Sequence, residues 1–127
     1  AQTNEVVMIK VKEANFGIKT WTLPKNLTSL KGGKEAWLRA FFSAEAYVNQ
    51  KSIKIQTVNE KGMTDIIKVL DNLGIKTNYY RYKPINSTHS SVHIIFITKR
   101  DDRLKFYQQI GFWHEKKTKT LRESLDL

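Results

Sequence analysis

The stretch that decides the fold is "EAWLRAFFSAEAYVN", residues 35–49, where large apolar and small residues recur and one carboxylate, Glu45, stands near the end. Three rows run through it at a spacing of four residues: Ala36, Ala40, Ala44; Trp37, Phe41; and Leu38, Phe42. Residues four apart share a helix face, so the pattern predicts a helix from Lys34 to about Ala46. The large rows should face the core, and the alanine row would let a second helix approach closely. A carboxylate in the last turn faces the negative end of the helix dipole, so we expect a compensating charge there, which a metal ion would supply.

The segments on either side of this helix alternate between strand and helix patterns. The predicted order is a hairpin (6–12 and 16–23), the helix from Lys34, a strand (49–58), a helix (59–74) ending at Gly74, two strands (75–83 and 91–99), and helices at 101–111 and 115–125. A helix followed by two strands occurs twice, at 34–58 and at 60–99. We therefore predict an α+β fold in which antiparallel strands form one sheet with helices on one face. The chain divides into a hairpin and connection (1–33), a main domain (34–121) and a tail (122–127).

The charge is unevenly distributed along the chain. The 127 residues include 22 basic and 12 acidic ones, a net charge of +10, which favours a polyanionic partner, nucleic acid first and an anionic membrane surface second. No Asp or Glu occurs at 46–59 or 72–100. Because these segments hold most of the predicted strands, we expect the solvent face of the sheet to be basic and free of acids.

Other features of the composition exclude whole classes of protein. There is no cysteine, which excludes disulfides and thiolate zinc sites. His89 and His93 are four residues apart, but no acid or cysteine lies near them in the sequence, so they do not indicate a zinc site. No apolar run approaches the roughly 20 residues that span a bilayer, and the first residues do not resemble a secretory signal. We expect an intracellular protein that is neither secreted nor in a membrane.

The helix and the segments after it resemble a known family. The nine residues "LRAFFSAEA" (38–46) resemble the LAGLIDADG motif, an apolar, small-residue helix that ends in a metal-binding acid, and Glu45 stands at the position of that acid. The following elements match the α-β-β-α-β-β-α unit of that family over about residues 34–121. The "IGF" of residues 110–112, with Lys117 and Leu121 after it, is similar to the end of this unit in archaeal and intein-borne homing endonucleases.

The resemblance implies a homing endonuclease that cuts double-stranded DNA at a long site with Mg²⁺ or another divalent cation. It assigns the metal to Glu45, a basic role near the scissile phosphate to Lys117 or its neighbour Lys116, and a solvent-orienting role to Asn59. In this family two motif helices pack together, which would give the row Ala36, Ala40 and Ala44 its partner. Since the chain holds one motif, the resemblance implies a homodimer or a second LAGLIDADG-bearing half.

The resemblance also places the sheet in a DNA major groove, which accepts a β-ribbon whose side chains reach base edges. Candidate DNA contacts are the polar and aromatic residues of the strands and their ends: Lys51, Lys54, Gln56, Lys76, Asn78, Tyr80, Arg81, Lys83 and Lys99. Strand register leaves open whether Asn78 and Tyr80 or Arg81 and Lys83 face the DNA, since successive side chains alternate between faces.

Two positions depart from the family pattern, and two alternatives stay open. Ala46 replaces the glycine that usually follows the acid and allows the backbone less freedom. Ser43 stands where an aspartate is frequent.

The first alternative is a protein of the same fold that binds DNA or RNA without cutting, as a regulator or an intron-splicing maturase. The second is an unrelated basic RNA-binding or ribosome-associated α+β domain.

Overall fold

The structure is a computed structural model that describes residues 23, 31–83 and 91–127. Its elements are α1 (Gly33–Glu45), β1 (Tyr47–Val48), β2 (Ile53–Thr57), α2 (Glu60–Asn72), β3 (Asn78–Tyr82), β4 (Val92–Ile97), α3 (Arg100–Gln109) and α4 (Glu115–Ser124). This order confirms the predicted α+β fold. The predicted hairpin at 6–23, apart from Leu23, and the turn at 84–90 lie outside the described residues.

The four described strands form one antiparallel sheet in the order β1-β2-β4-β3. Its inner face carries Ile53 and Ile55 of β2 opposite Ile97 and Ile95 of β4, and all four side chains are buried. These isoleucines join the apolar residues of the helices in one core. The helices therefore cover one face of the sheet, as the alternation in the sequence predicted.

Helix α1 is the most deeply buried element, because both of its large apolar rows face the core. Trp37, Leu38, Phe41 and Phe42 are all buried, and the rings of Trp37 and Phe41 stack with their centroids 5.3 Å apart. The helix ends at Glu45 because Ala46 is extended and leads directly into β1. This packing fixes the position of the carboxylate at the end of the helix.

Helix α2 ends as its sequence predicts. One face of the helix is buried through Met63, Ile66 and Leu70. Asn59 is the N-cap at the start of the helix. After the last turn, Gly74 has a φ of 80°, and the Ile75 backbone N–H donates to the Leu70 carbonyl at 2.9 Å. A residue in this left-handed conformation is usually glycine, because a Cβ atom disfavours it.

The last helix belongs to the folded domain. Helix α4 continues to Ser124, and Leu121 and Leu125 lie in the core. Arg103 of α3 holds its end, donating from Nη1 to the Ser124 hydroxyl at 2.7 Å and from Nε to the Thr98 carbonyl at 3.0 Å. The helix thus continues past residue 122, where a tail was predicted to start, and the division into domains stays a prediction.

In the described part of the chain, no helix is both long enough and apolar enough to cross a membrane.

Candidate functional site

Glu45, the last residue of α1, is exposed at the mouth of a cleft. The cleft has a volume of about 220 Å³ and is lined also by Tyr47, Lys54 and Gln56, on the strands next to it. No hydrogen bond or salt bridge from another described residue holds the carboxylate. Glu45 is therefore accessible to a ligand that enters from the sheet side.

Lys117, near the start of α4, is a positive charge that interacts electrostatically with this carboxylate. Its Nζ donates a 2.7 Å hydrogen bond to the carbonyl oxygen of Ser43, one of the last carbonyls of α1, which lack partners within the helix. Partial burial lowers the pKa of the Lys117 ammonium below its ordinary value, and the charge of Glu45 opposes that shift. The compensating charge that the sequence led us to expect beside Glu45 is thus present as a lysine.

Lys116, the alternative to Lys117 in the sequence, is exposed. His114 caps the start of α4, because its Nδ1 accepts a 3.3 Å hydrogen bond from the backbone N–H of Lys117. This bond fixes the first turn of the helix, from which both lysines project. The side chain of Lys117 then reaches the end of α1. Of the two lysines, Lys117 is the one that interacts with Glu45.

Ser43 joins α1 to the start of α4. Its Oγ accepts a 2.7 Å hydrogen bond from the Trp113 backbone N–H, in addition to the bond between its carbonyl and Lys117. One turn earlier, the Nε of Arg39 donates to the carbonyl of Ile110. These contacts could not be predicted from the sequence, because the partners are far apart in the chain and hydroxyl groups are common at helix ends.

Ala46 does not strain the turn after Glu45. Its φ of −79° and ψ of 145° are extended, and its N–H donates to the Phe42 carbonyl at 2.9 Å. Its methyl group is buried in the core. The smaller conformational freedom of alanine therefore does not hinder this turn, because the turn does not use the conformations that only glycine adopts easily.

Asn59 has a defined structural contact. Its side chain is 4% exposed, and its Oδ1 accepts a 3.0 Å hydrogen bond from the Gly62 backbone N–H at the start of α2. Its own backbone N–H donates to the Thr57 hydroxyl at 3.1 Å. Asn59 is thus an N-cap in the structure, and its solvent-orienting role stays a prediction.

The alanine row is only partly accessible. Ala36 and Ala40 are 5% and 3% exposed within the chain, whereas Ala44 is exposed next to Glu45. The accessible end of the row is therefore the end that carries the acid. The predicted helix–helix interface stays a prediction, with Ala44 as its accessible member.

The strand register resolves which side chains share the outer face of the sheet, the face turned away from the helices. Side chains of paired residues point to the same side, which gives three rows across the face. The rows are Tyr47, Lys54, Phe96, Asn78; Gln56, Ile94, Tyr80; and Val92, Tyr82. Asn78 and Tyr80 therefore lie on the same face as the cleft residues Lys54 and Gln56, while Arg81 pairs with His93 on the other face.

The outer face differs from the basic surface that the sequence predicted. Its three rows contain no carboxylate, as expected, but Lys54 is their only lysine or arginine and the central strand supplies apolar groups. The Nζ of Lys54 lies 5.9 Å from the centroid of the Phe96 ring, and the Tyr80 ring meets that ring edge-on at 5.8 Å. The prediction of a basic face was wrong because it counted lysines along the chain without knowing the register.

The other predicted DNA contacts lie around this face or away from it. Lys51 is exposed in the turn between β1 and β2, Lys83 follows β3, and Lys99 precedes α3. Lys76 is exposed but pairs with Asp71 at 2.8 Å, and this carboxylate raises the pKa of Lys76. A lysine engaged in this way is a weaker candidate for a phosphate contact than Lys51 or Lys83.

Among the described residues, Glu45 is the single acid that lines this cleft. Among residues 23, 31–83 and 91–127 there is no group of three or more His, Cys, Asp or Glu placed to hold a metal. Mg²⁺ is commonly bound by one or two carboxylates together with substrate phosphate and water. Glu45, exposed and lacking a hydrogen-bonded partner among those residues, fits one such ligand.

Comparison with known proteins agrees with the motif and the order of the elements. The family described as LAGLIDADG-like domain matches residues 33–111, from α1 through α3. Over 98% of its length the chain is 35% identical to a DNA polymerase of Thermococcus aggregans, and over 94% it is 31% identical to one of Thermococcus kodakarensis. The chain corresponds to only 7% of each polymerase. From the helix that ends in Glu45, the two helix-strand-strand repeats and the family match together, we conclude that this chain belongs to the family of LAGLIDADG-like domains.

Proposed function

We propose that this chain is a homing endonuclease domain that cuts double-stranded DNA at a specific site with a divalent metal ion. The observation that carries the proposal is that Lys117 Nζ bonds to the carbonyl of Ser43, two residues before Glu45, and interacts electrostatically with that acid, which lines the cleft beside the sheet. An acid that binds a metal ion and a cation that faces a phosphate are two groups that phosphodiester hydrolysis requires. The two residues come from distant parts of the chain, and the fold brings them together.

Lys117 has the properties of a group that stabilises developing charge on a phosphate. Its ammonium is held by the Ser43 carbonyl and is partly desolvated, which lowers its pKa. A fixed, partly desolvated cation interacts more strongly with an anion than a lysine in open water does. An incoming phosphate oxygen would therefore gain from the contact without a large rearrangement of the protein.

Glu45 is the residue of this chain that would hold the metal ion, with Mg²⁺ as the first candidate. A bound Mg²⁺ would make its water more acidic and polarise the phosphate. The remaining ligands would come from the DNA and from a second acidic residue. We propose that this residue is Glu45 of a second copy, or the matching acid of a second LAGLIDADG-bearing half, brought close when two motif helices pack at their Ala44 ends.

The similarity to DNA polymerases supports an origin inside a longer protein. A match to 7% of a polymerase chain suits a self-contained inserted domain better than the polymerase activity itself. We propose that this chain corresponds to such an insertion, of the intein type that the motif resembles.

A second candidate function is binding of DNA or RNA without cleavage. It is favoured by Ser43, which stands where the family often has a second acid and whose hydroxyl is engaged with Trp113. Such a protein would act as a regulator or an intron-splicing maturase of the same fold. Both candidates use the outer face, and they differ in whether Glu45 is needed.

The deciding experiment is cleavage of a plasmid library that carries randomised sites, with and without Mg²⁺. We expect staggered double-strand cuts in Mg²⁺, and a rate at least about 100-fold lower for Glu45→Gln, which keeps the shape of the side chain but loses its charge. Glu123→Gln is the matched control, because this exposed glutamate lies in α4 and its carboxylate pairs with Lys119 of the same helix, at 4.0 Å. It should cut as the unchanged protein does.

Each result has a distinct meaning. Binding without Mg²⁺-dependent cutting would refute the endonuclease and leave the second candidate. Equal cutting by Glu45→Gln would refute the metal role of Glu45. A monomeric mass of the DNA-free and DNA-bound protein would exclude the homodimer and leave the second half as the partner.

A further inference from the structure

We propose that the outer face of the sheet selects A·T base pairs, an inference that rests on the proposed DNA function and adds the chemistry of the site. In a major groove, apolar side chains contact the methyl group of thymine, and the carboxamides of Asn and Gln pair with adenine. The outer face offers these two kinds of group side by side.

The apolar groups lie along the centre of the face. Val92, Ile94 and Phe96 point outward from β4 and are partly exposed, although β4 is flanked by a strand on each side. The Tyr80 ring, packed edge-on against Phe96 and exposed, widens this strip. Apolar groups held this way on the proposed DNA face match the only apolar group that a base pair displays in the major groove.

The carboxamides flank the strip on both sides. Gln56 is exposed on β2 directly across from Ile94, and Asn78 is exposed on β3 directly across from Phe96. One N–H of Asn78 donates to the Thr98 hydroxyl at 3.0 Å, which orients the amide and leaves its oxygen and second N–H for a base. An adenine therefore has an amide partner on either side of a thymine contact.

Groups that read guanine are scarce on the same face. Guanine is most often bound by Arg or Lys at O6 and N7. The guanidinium of Arg81 lies on the opposite face, 3.4 Å from the Ser91 hydroxyl, and Lys54, the one cation in the three rows, lies over Phe96. Lys51 and Lys83 are exposed outside the three rows, where we expect contacts to phosphates, which carry no sequence information.

The charge pattern favours DNA over a protein partner for this partly apolar surface. The three rows contain no acid, and the whole chain has a net charge of +10. A polyanion that displays methyl groups in its groove complements both properties.

The test compares thymine with uracil, which differs only by the missing methyl group. A randomised duplex library is selected by binding to the 127-residue chain, and the selected duplex is then prepared with thymine and with uracil. We expect A·T enrichment, and an affinity about fourfold lower for each contacted thymine that is replaced, since one buried methyl group is worth roughly that factor.

Two variants test whether the preference for thymine depends on the outer face of the sheet. Ile94→Ser removes the methyl groups of this side chain from the centre of the face, so its preference for thymine over uracil should fall. Lys68→Gln, at an exposed position of α2, should keep the full preference. Selection of G·C-rich duplexes, or equal affinity for the thymine and uracil forms, overturns the inference alone. If no duplex is enriched, both the inference and the proposed DNA function are overturned.

Discussion

Replacing Lys117 by methionine is expected to separate the chemistry of the site from the stability of the fold. Methionine retains an apolar stem of similar length but loses the ammonium that bonds to the Ser43 carbonyl. We expect cleavage to slow by about 100- to 1,000-fold, the usual effect of removing one group that stabilises developing charge. We expect the free energy of unfolding to change by less than about 1 kcal/mol.

The small effect on stability follows from opposing contributions. A hydrogen bond from a charged donor stabilises by about 1.5 to 3 kcal/mol, and a cation near a helix C-terminus adds about 0.3 to 1 kcal/mol. The cost of removing water from around the Lys117 ammonium offsets both of these stabilising contributions. The lowered pKa of Lys117 indicates that this desolvation outweighs the attraction of Glu45. The charge therefore contributes little to folding, which is typical of a group kept for function.

The pKa shift also predicts how stability depends on pH. The folded protein binds the Lys117 proton less tightly than the unfolded chain does, so stability should rise as the pH increases from the lowered pKa to the ordinary value of 10.5. Lys117→Met removes this contribution to the rise. Urea denaturation from neutral to alkaline pH measures it, and single-turnover cleavage measures the rate.

Lys116→Met provides the comparison, because Lys116 is exposed and its neighbour is the lysine that reaches α1. It should slow cleavage less than about tenfold. The reasoning is refuted if Lys117→Met lowers the free energy of unfolding by more than about 2 kcal/mol while the folded variant cleaves normally. That result would make Lys117 a structural residue.

Three further substitutions test contacts of the site. Glu45→Gln should lower the pKa of Lys117 further, because it removes the negative charge that raises this pKa. NMR titration of the lysine side-chain signals would detect the change. An unchanged or higher pKa would contradict the interaction between Glu45 and Lys117. Ser43→Ala should lower the free energy of unfolding by about 1 kcal/mol and slow cleavage more than DNA binding, because the bond to Trp113 positions α4; equal losses of both would count against a positioning role. Asn59→Ala should lower the free energy of unfolding, measured by denaturation, by about 1 kcal/mol, because it removes the N-cap of α2. Asn59→Asp retains that cap, so it should be as stable as the unchanged protein. A loss of cleavage in Asn59→Asp without a loss of stability would instead support the solvent-orienting role.

The sequence was sufficient for the fold because periodicity and element order are local signals. The rows of α1 are spaced for a helix, the isoleucines of β2 and β4 alternate, and Gly74 marks the end of α2, so these features could be predicted without any long-range contact. The position of Glu45 at the end of α1 was predictable for the same reason, since it follows from the length of the helical pattern.

The sequence was insufficient where distant residues pair. The register of β3 against β4 decides that Asn78 and Tyr80 face outward and that Arg81 does not, and a shift of one residue would reverse this. The contact between Ser43 and Trp113 likewise joins two segments that only the tertiary structure brings together. Charge counted along the chain therefore overestimated how basic the outer face is.

Ala46 shows how a departure from a family pattern is weighed by its conformation. The residue is extended, so glycine would bring no steric relief and would instead add freedom to the unfolded chain, at a cost of about 0.5 to 1 kcal/mol. The methyl group is 5% exposed, and its loss from the core adds about 0.8 kcal/mol. Ala46→Gly, which restores the usual family residue, should therefore lower the free energy of unfolding by about 1 to 2 kcal/mol and leave cleavage by the folded protein no faster. Faster cleavage by Ala46→Gly at equal stability would mean that the turn after Glu45 has to move during the reaction.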